Sequence, residues 1–409
     1  MQKKIIFRFI LLFVITVLYA QAPSATTFRE LIIPGVPLPA VNSKSAAVID
    51  AATGTYIFLQ NPDEEIPPAS LTKLMTIHLA LSEVKAGRAN LEMEISPPRE
   101  SWAINQPPRS SLMFLADGQR ATLNDLILGL AVPSGNDAAV AVALTFAPSV
   151  RDFTDMMNNE ARALGMTVTR FDEPSGISEY NMTTAREFVQ FCRFYINTHP
   201  ETLMNYHSVP EFAYPKPENV APVFRSRPGT IIQPNRNQLL KTVEGVDGLK
   251  TGYIDEAGYN IALTASRNET RFIAVIMGAP LNGGDRIRDE DGRRLINWAF
   301  ENFKTVRPPM PDPVSVRVWK GKTDYVIAVP DEPLEFTAQV NRAVGLYTML
   351  ELNEPLIAPL PAGTRVGDLV YYDSMGELRR VPLVTVQEIE SGNFFKQAID
   401  SVQLFFKKK

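Results

Sequence analysis

At 409 residues the chain is long enough for two or three domains, each able to bury its own core. A net charge of −4 gives no electrostatic case for nucleic acid, and a single cysteine, Cys192, rules out an intramolecular disulfide. The three histidines, His78, His199 and His207, lack metal-site spacing, and no dinucleotide fingerprint or phosphate-binding loop occurs, so neither a metal nor an organic cofactor is expected.

The first residues carry Lys3, Lys4 and Arg8, then an apolar run over 9–19, then Ala20-Gln21-Ala22 in the small-x-small form of a cleavage site. Residues 1–22 are expected to be a secretory signal peptide, because the apolar core falls short of the roughly 20 residues a membrane span needs. Apolar runs at 46–50 and 55–59 predict an early hairpin. Ser70 follows Pro67-Pro68-Ala69 and opens a run through Leu71, Leu74, Met75, His78, Leu81 and Val84 that stops at Gly87. The spacing predicts a helix with Ser70 at its N-terminus, where free backbone N–H groups and the dipole favour developing negative charge. Lys73 lies one turn along on the same face.

Ser70-Leu71-Thr72-Lys73 is the first of three short motifs, followed by Ser134-Gly135-Asn136 and Lys250-Thr251-Gly252. Each is weak alone, and the chain supplies copies of the first two in Ser82-Glu83-Val84-Lys85 and Ser266-Arg267-Asn268. Context separates them: Ser82 falls inside the helix, and 266–268 reads as a hairpin turn between apolar runs at 259–264 and 272–277. Ser134 sits in a loop between helical runs at 122–131 and 136–146, and Lys250-Thr251-Gly252 precedes the strand-like stretch from Tyr259. Between these motifs, Cys192 reads as a small buried hydrophobe in a helical run at 188–196. The proline-rich stretch 201–229, with Phe212, Tyr214 and Phe224, predicts a long ordered loop at the rim of a cleft.

The ordered trio specifies a serine acyl-transfer site. A serine hydroxyl needs a base within reach and donors for the oxyanion formed on attack. Lys73 can be that base only when neutral; a second cation, Lys250, would depress its pKa while staying charged to anchor a substrate carboxylate. Ser134 would relay a proton to a leaving amine, Asn136 would hold Lys73 and a substrate amide, and Gly252 would let a bound peptide approach the backbone.

Four prolines in Arg307-Pro308-Pro309-Met310-Pro311-Asp312-Pro313 mark a boundary. Beyond it Val314, Val316 and Val318 alternate with Ser315, Arg317 and Trp319, and Leu369-Val370-Tyr371-Tyr372 meets a turn at Asp373-Ser374-Met375-Gly376. A small all-β sandwich is expected over 307–390, with no catalytic constellation. After a polar linker, Phe394, Phe395, Ala398, Ile399, Val402, Phe405 and Phe406 share one helix face, Lys396, Gln397, Asp400 and Gln403 lie off it, and Lys407-Lys408-Lys409 follow. Residues 391–409 therefore predict an amphipathic helix lying in a membrane interface, too short to span it.

These residues resemble those of the low-molecular-mass penicillin-binding proteins that act as D-alanyl-D-alanine carboxypeptidases. The resemblance is carried by the three motifs, by Ala46-Ala47-Val48-Ile49-Asp50, Gln233-Pro234-Asn235-Arg236-Asn237, Val246-Asp247-Gly248-Leu249 and Ala257-Gly258-Tyr259-Asn260, and it extends through the second domain and the tail. It implies an α+β catalytic domain of the penicillin-binding-protein/β-lactamase type over 26–306, an antiparallel sheet covered by helices. It also implies that Ser70 is the acylated nucleophile, Lys73 the general base, and Ser134 with Asn136 the second catalytic element. Lys250 and Thr251 would bind the substrate's terminal carboxylate, with Gly252 beside them in the substrate site, the backbone N–H groups of Ser70 and Tyr253 would form the oxyanion hole, and a substrate-contacting arginine maps to Arg288, with Arg286 close by. The implied substrates are peptidoglycan stem peptides, with β-lactams acylating the same serine, at the extracytoplasmic face of the cytoplasmic membrane.

Two positions depart from the family pattern. Tyr253 stands where relatives carry His or Thr, and Ser178, in Ser175-Gly176-Ile177-Ser178-Glu179, stands where an Asp that assists deacylation is expected. The alternatives are a D,D-endopeptidase or a β-lactamase of the same superfamily, or a wall-binding protein without turnover. Ser-Gly-Asn in place of Ser-Asp-Asn, and the lack of a Glu-bearing loop motif of the class A type, stand against a β-lactamase.

Overall fold

The computed structural model describes residues 36–220 and 229–407. The expected signal peptide, Phe224, Lys408 and Lys409 lie outside the described residues.

The chain opens with the antiparallel pair β1 (Ser45–Asp50) and β2 (Tyr56–Gln60). Next come α1 (Lys73–Lys85), the short pair β3 (Glu94–Ile95) and β4 (Ala121–Thr122), and four helices: α2 (Leu123–Ala131), α3 (Asn136–Phe146), α4 (Val150–Ala163) and α5 (Ala185–Thr198). A second short pair, β5 (Glu211–Tyr214) and β6 (Ile231–Pro234), is followed by α6 (Leu239–Thr242), β7 (Val246–Ile254), β8 (Gly258–Arg267), β9 (Thr270–Ala279) and α7 (Gly284–Asn302). The main sheet has the order β2-β1-β9-β8-β7, so the earliest hairpin docks on the latest strands, with Val48 opposite Ala274.

Side chains alternate across each strand, and here both faces are covered. Ala47, Ile49, Ala262, Ile273, Val275 and Met277 pack under the helices α1 to α5. Ala46, Val48, Ile261, Leu263, Ala274 and Ile276 pack on Leu295, Ile296, Trp298 and Ala299 of α7. Double burial is why these strands read as near-continuous apolar runs instead of alternating ones.

Local chemistry sets the element ends. Thr122 caps α2 by accepting from Asp125 N at 3.0 Å while the Asp125 carboxylate accepts from Thr122 N at 3.1 Å, a reciprocal capping box. Asn268 and Glu269, both at positive φ, make the two-residue turn between β8 and β9. Ser70 opens the helical run as expected; its first turn, Ala69–Thr72, is 3₁₀ and leads straight into α1, with Ala69 at a φ of +50° where the run begins. Two expectations need correction. Ser266 and Arg267 are paired residues of β8, so the turn expected at 266–268 begins only at Asn268. Within 201–229 the chain is not simply loop: buried Phe212 and Tyr214 anchor β5, which pairs with β6.

The second region contains β10 (Phe303–Val306), β11 (Val314–Trp319), β12 (Tyr325–Pro330), β13 (Phe336–Gln339), β14 (Tyr347–Leu352), β15 (Leu356–Ile357), β16 (Arg365–Asp373) and β17 (Gly376–Thr385). Six strands form one sheet in the order β14-β16-β17-β12-β11-β15, and β10 pairs with β13. Val316, Val318, Val326, Leu369, Val381 and Leu383 make its core. The buried carboxylate of Asp50, at the end of β1, accepts from Thr305 Oγ1 at 2.8 Å and Thr337 Oγ1 at 2.9 Å, clasping this region to the main sheet.

The last element, α8 (Phe394–Lys407), docks through its polar side. Asp400, only 1 % exposed, accepts from Lys320 N at 2.6 Å and from Lys396 Nζ at 3.0 Å, and Lys407 Nζ donates to Glu354 at 2.7 Å. The apolar side points outward, with Phe394 80 % and Phe395 76 % exposed. Among the described residues no helix is long and apolar enough to cross a membrane.

Candidate active site

Three segments far apart in sequence converge on one cleft of about 810 Å³, lined by Ser70, Ser134, Asn136, Thr251, Gly252, Tyr253 and Arg288 among others. Lys73 and Lys250 lie beneath it, both buried. Lys73 Nζ donates to Ser70 Oγ at 2.9 Å, to Asn136 Oδ1 at 2.8 Å and to the Ser175 carbonyl at 2.5 Å, which uses all three of an ammonium's protons. Burial holds the Lys73 pKa down to about 7; Glu173 and Asp137 pull it up and Arg236 pushes it further down.

Close backbone approach brings β7 beside the Ser70 turn. A Cβ on Gly252 would lie 2.9 Å from the Pro68 carbonyl and 3.0 Å from Ser70 N, so only glycine lets this strand lie so near the nucleophile's own amide. Gly252 thus serves the packing of strand on turn as well as the approach of a peptide. Ser134 is held at φ +70°, an uncommon conformation for a side-chain-bearing residue, and its buried Oγ has no hydrogen-bond partner among the described residues. That hydroxyl keeps both donor and acceptor capacity for a guest in the cleft.

Lys250 Nζ donates to the Thr251 carbonyl at 2.9 Å. Burial, then Lys73, Arg236 and Arg288, holds its pKa well below the ordinary lysine value. Lys73 and Lys250 thus oppose each other's charge, and Arg236, which lines the cleft and donates from Nε to the Pro133 carbonyl at 3.1 Å, is a further cation that pushes both down. Arg288 lines the cleft, paired with Asp289 at 2.7 Å, whereas Arg286 pairs with Glu290 at 3.6 Å and is absent from the cleft lining. Tyr253 packs against Tyr259 with ring centroids 4.3 Å apart and the ring planes tilted by 32°, and its hydroxyl donates to Asp255. Ser178 turns from the cleft to Asp172, donating at 2.7 Å.

Sequence reasoning missed three charged groups. Arg236 enters the sequence reading only as part of the segment 233–237, and nothing local marks Glu173. Asp137 follows Asn136 and accepts from Met113, Phe114, Leu115 and Ala138 N–H groups at 2.7 to 3.0 Å, tying the loop segment 113–115 to the start of α3. An Asp in the first turn of a predicted helix was the one available signal. Among the described residues no cluster of three or more His, Cys, Asp or Glu side chains could hold a metal ion.

A buried lysine on a serine hydroxyl, beside an antiparallel sheet with helices on both faces, defines an active-serine acyl-transfer enzyme. Comparison with known proteins carries this further. The family profile described as D-alanyl-D-alanine carboxypeptidase matches residues 34–281, and that of the penicillin-binding protein 5 C-terminal domain matches 305–391. The D-alanyl-D-alanine carboxypeptidase DacC of Escherichia coli is 33 % identical over 396 residues, covering 95 % of this chain and 94 % of that protein. Among solved structures, penicillin-binding protein 5 of Haemophilus influenzae superposes with a TM-score of 0.76 at 28 % identity, over 87 % of this chain and 100 % of that one. Penicillin-binding protein D2 of Listeria monocytogenes, solved in its ampicillin-bound form, has a TM-score of 0.55 at 29 % identity and covers 64 % of this chain and all of that one. The chain belongs to the D-alanyl-D-alanine carboxypeptidase family and is a serine-type peptidase.

Proposed function

We propose that Ser70 attacks the carbonyl between the last two D-alanines of a peptidoglycan stem peptide. The Ser70 proton passes to neutral Lys73, the carbonyl oxygen takes the negative charge, and the backbone N–H groups of Ser70 and Tyr253 receive it. The C–N bond then breaks; Ser134, or Lys73 through it, returns a proton to the departing amine, and D-alanine leaves. Water hydrolyses the acyl-enzyme by the same route in reverse. Lys250, Thr251 and Arg288 hold the terminal carboxylate, whose negative charge restores the ammonium on Lys250 that burial otherwise disfavours. A β-lactam acylates Ser70 as a mimic of this substrate. The observation that carries the reading is the 2.9 Å contact of Lys73 Nζ with Ser70 Oγ, joined to the 2.8 Å contact with Asn136.

The catalytic unit runs from about 26 to the end of α7 and a spacer domain from β10 to about 390, so the division falls a few residues ahead of the proline-based one into 26–306 and 307–390. The helix within 391–409 rests on a membrane surface at the extracytoplasmic face, reached through a signal at 1–22. The outward aromatic face of α8 supports this placement, since a helix docked for its own stability would turn that face inward. The test is free D-alanine released from a D-Ala-D-Ala-terminated peptide, with Ser70→Ala alongside. Release by the wild type that the variant abolishes is the expected result; equal release by both sinks the proposal.

A further inference from the structure

We infer that Glu173 is a positioning residue for this acyl transfer, its carboxylate fixing the loop that holds Lys73 against Ser70; the inference rests on the roles proposed above for those two residues. Glu173 Oε2 accepts from Ser175 N at 2.7 Å and Ser175 Oγ at 2.6 Å, and Oε1 accepts from Gly176 N at 2.5 Å and Asn181 Nδ2 at 2.9 Å. Ser178 N adds a longer contact at 3.4 Å. One carboxylate thus gathers the donors of a whole turn, and bonds to an ionised acceptor are about twice as strong as neutral ones.

The turn has a task. It delivers the Ser175 carbonyl to Lys73 Nζ at 2.5 Å, the one lysine contact made by neither the nucleophile nor Asn136. It also sits hard on the nucleophile's own turn: Gly176 is at φ +83°, and a Cβ there would fall 1.9 Å from the Ala69 carbonyl oxygen. A loosened loop would therefore release the lysine on one side and the serine turn on the other. Because the Glu173 oxygens are engaged by these donors, the residue acts through the loop that it holds and not on the reacting atoms.

Charge adds a second effect of the same group. Lys73 faces Glu173 from this loop, Asp137 from α3, Arg236 from the segment after β6 and Lys250 from β7. Glu173 leads the groups that oppose burial and keep Lys73 near its working protonation. A loop residue that only stabilised the fold would leave the titration of Lys73 alone.

The experiment follows acylation of the full chain by a fluorescent penicillin against pH, with thermal unfolding of each protein, in wild type, Glu173→Gln and Glu173→Asp. Glu173→Gln keeps the shape and removes the charge, so the acidic limb is expected to move to lower pH. Its plateau is expected to fall on the order of tenfold to a hundredfold, because a carboxamide nitrogen cannot accept from Ser175. Glu173→Asp, one methylene shorter, is expected to return the limb toward wild type while the plateau stays low. An unmoved limb, or a wild-type plateau, in folded Glu173→Gln overturns the inference. Should that variant fail to fold, Asn181→Ala decides: a lowered plateau supports the inference, and a wild-type plateau overturns it. Wild-type protein left unlabelled at Ser70 overturns the proposed function and this inference together, whereas wild-type labelling with unchanged variants sinks Glu173 alone.

Discussion

The 2.9 Å line between Lys73 Nζ and Ser70 Oγ can carry a hydrogen bond in either direction, and the protonation of Lys73 decides which. As an ammonium, Lys73 donates to the hydroxyl and leaves it unreactive; as an amine, it accepts the hydroxyl proton and turns Ser70 into a nucleophile. With a pKa of about 7, both forms are present at neutral pH.

Acylation by a β-lactam is therefore expected to rise about tenfold per pH unit on the acidic side of this pKa and to level off above it. Stopped-flow labelling across the neutral range measures the profile, and a flat one would remove Lys73 as the base.

Removing either partner should end the chemistry. Ser70→Ala should give no covalent β-lactam adduct in intact-protein mass spectrometry, and Lys73→Arg, which cannot deprotonate, should lower D-alanine release by roughly a thousandfold or more. An adduct of normal yield in Ser70→Ala would place the nucleophile elsewhere.

Gly252→Ala should fold and yet react slowly. The added methyl meets backbone atoms at Pro68 and Ser70, so β7 or the turn must shift by a few tenths of an ångström, which costs on the order of a hundredfold in acylation. Comparing the acylation rate with the unfolding midpoint separates this from general damage; wild-type acylation would contradict the packing argument.

Asp137→Ala is expected to cost stability first. It strands four backbone N–H donors that now share one buried carboxylate, a loss of about 2–4 kcal/mol visible as a thermal midpoint lowered by several degrees. An unchanged midpoint would mean that water replaces the carboxylate without penalty.

Replacing Phe394 and Phe395 together by Glu should abolish sedimentation with anionic lipid vesicles while D-alanine release from a soluble peptide is unchanged. Retained vesicle binding would move the membrane contact away from α8.

Elements with strong local signals were legible in the sequence. The helix at 136–146 follows from periodicity, the hairpin near 266–268 was legible although its turn falls at Asn268 and Glu269, and the three motifs pointed to segments that do meet in one cleft. The rest depended on distant partners. Nothing about Ala69 announces a left-handed φ, since the turn is imposed by Gly176 and Gly252 packing on it from far along the chain. Glu173 looks like any loop glutamate until its own turn closes around it. Asp400 reads as solvent-facing because helical spacing puts it opposite the aromatics, and its inward course depends on Lys320 N, 80 residues earlier.

That inward aspartate changes what the terminal helix is mechanically. A flexible tail would let the enzyme swing through a hemisphere above its point of attachment. Here α8 is pinned to the second domain through Asp400, and the second domain to the main sheet through Asp50, so the molecule stands on the proposed surface like a crane with a locked jib. It would trim peptides within one layer of the wall, at a height set by the second domain, and a longer or shorter spacer would move that layer without touching the chemistry.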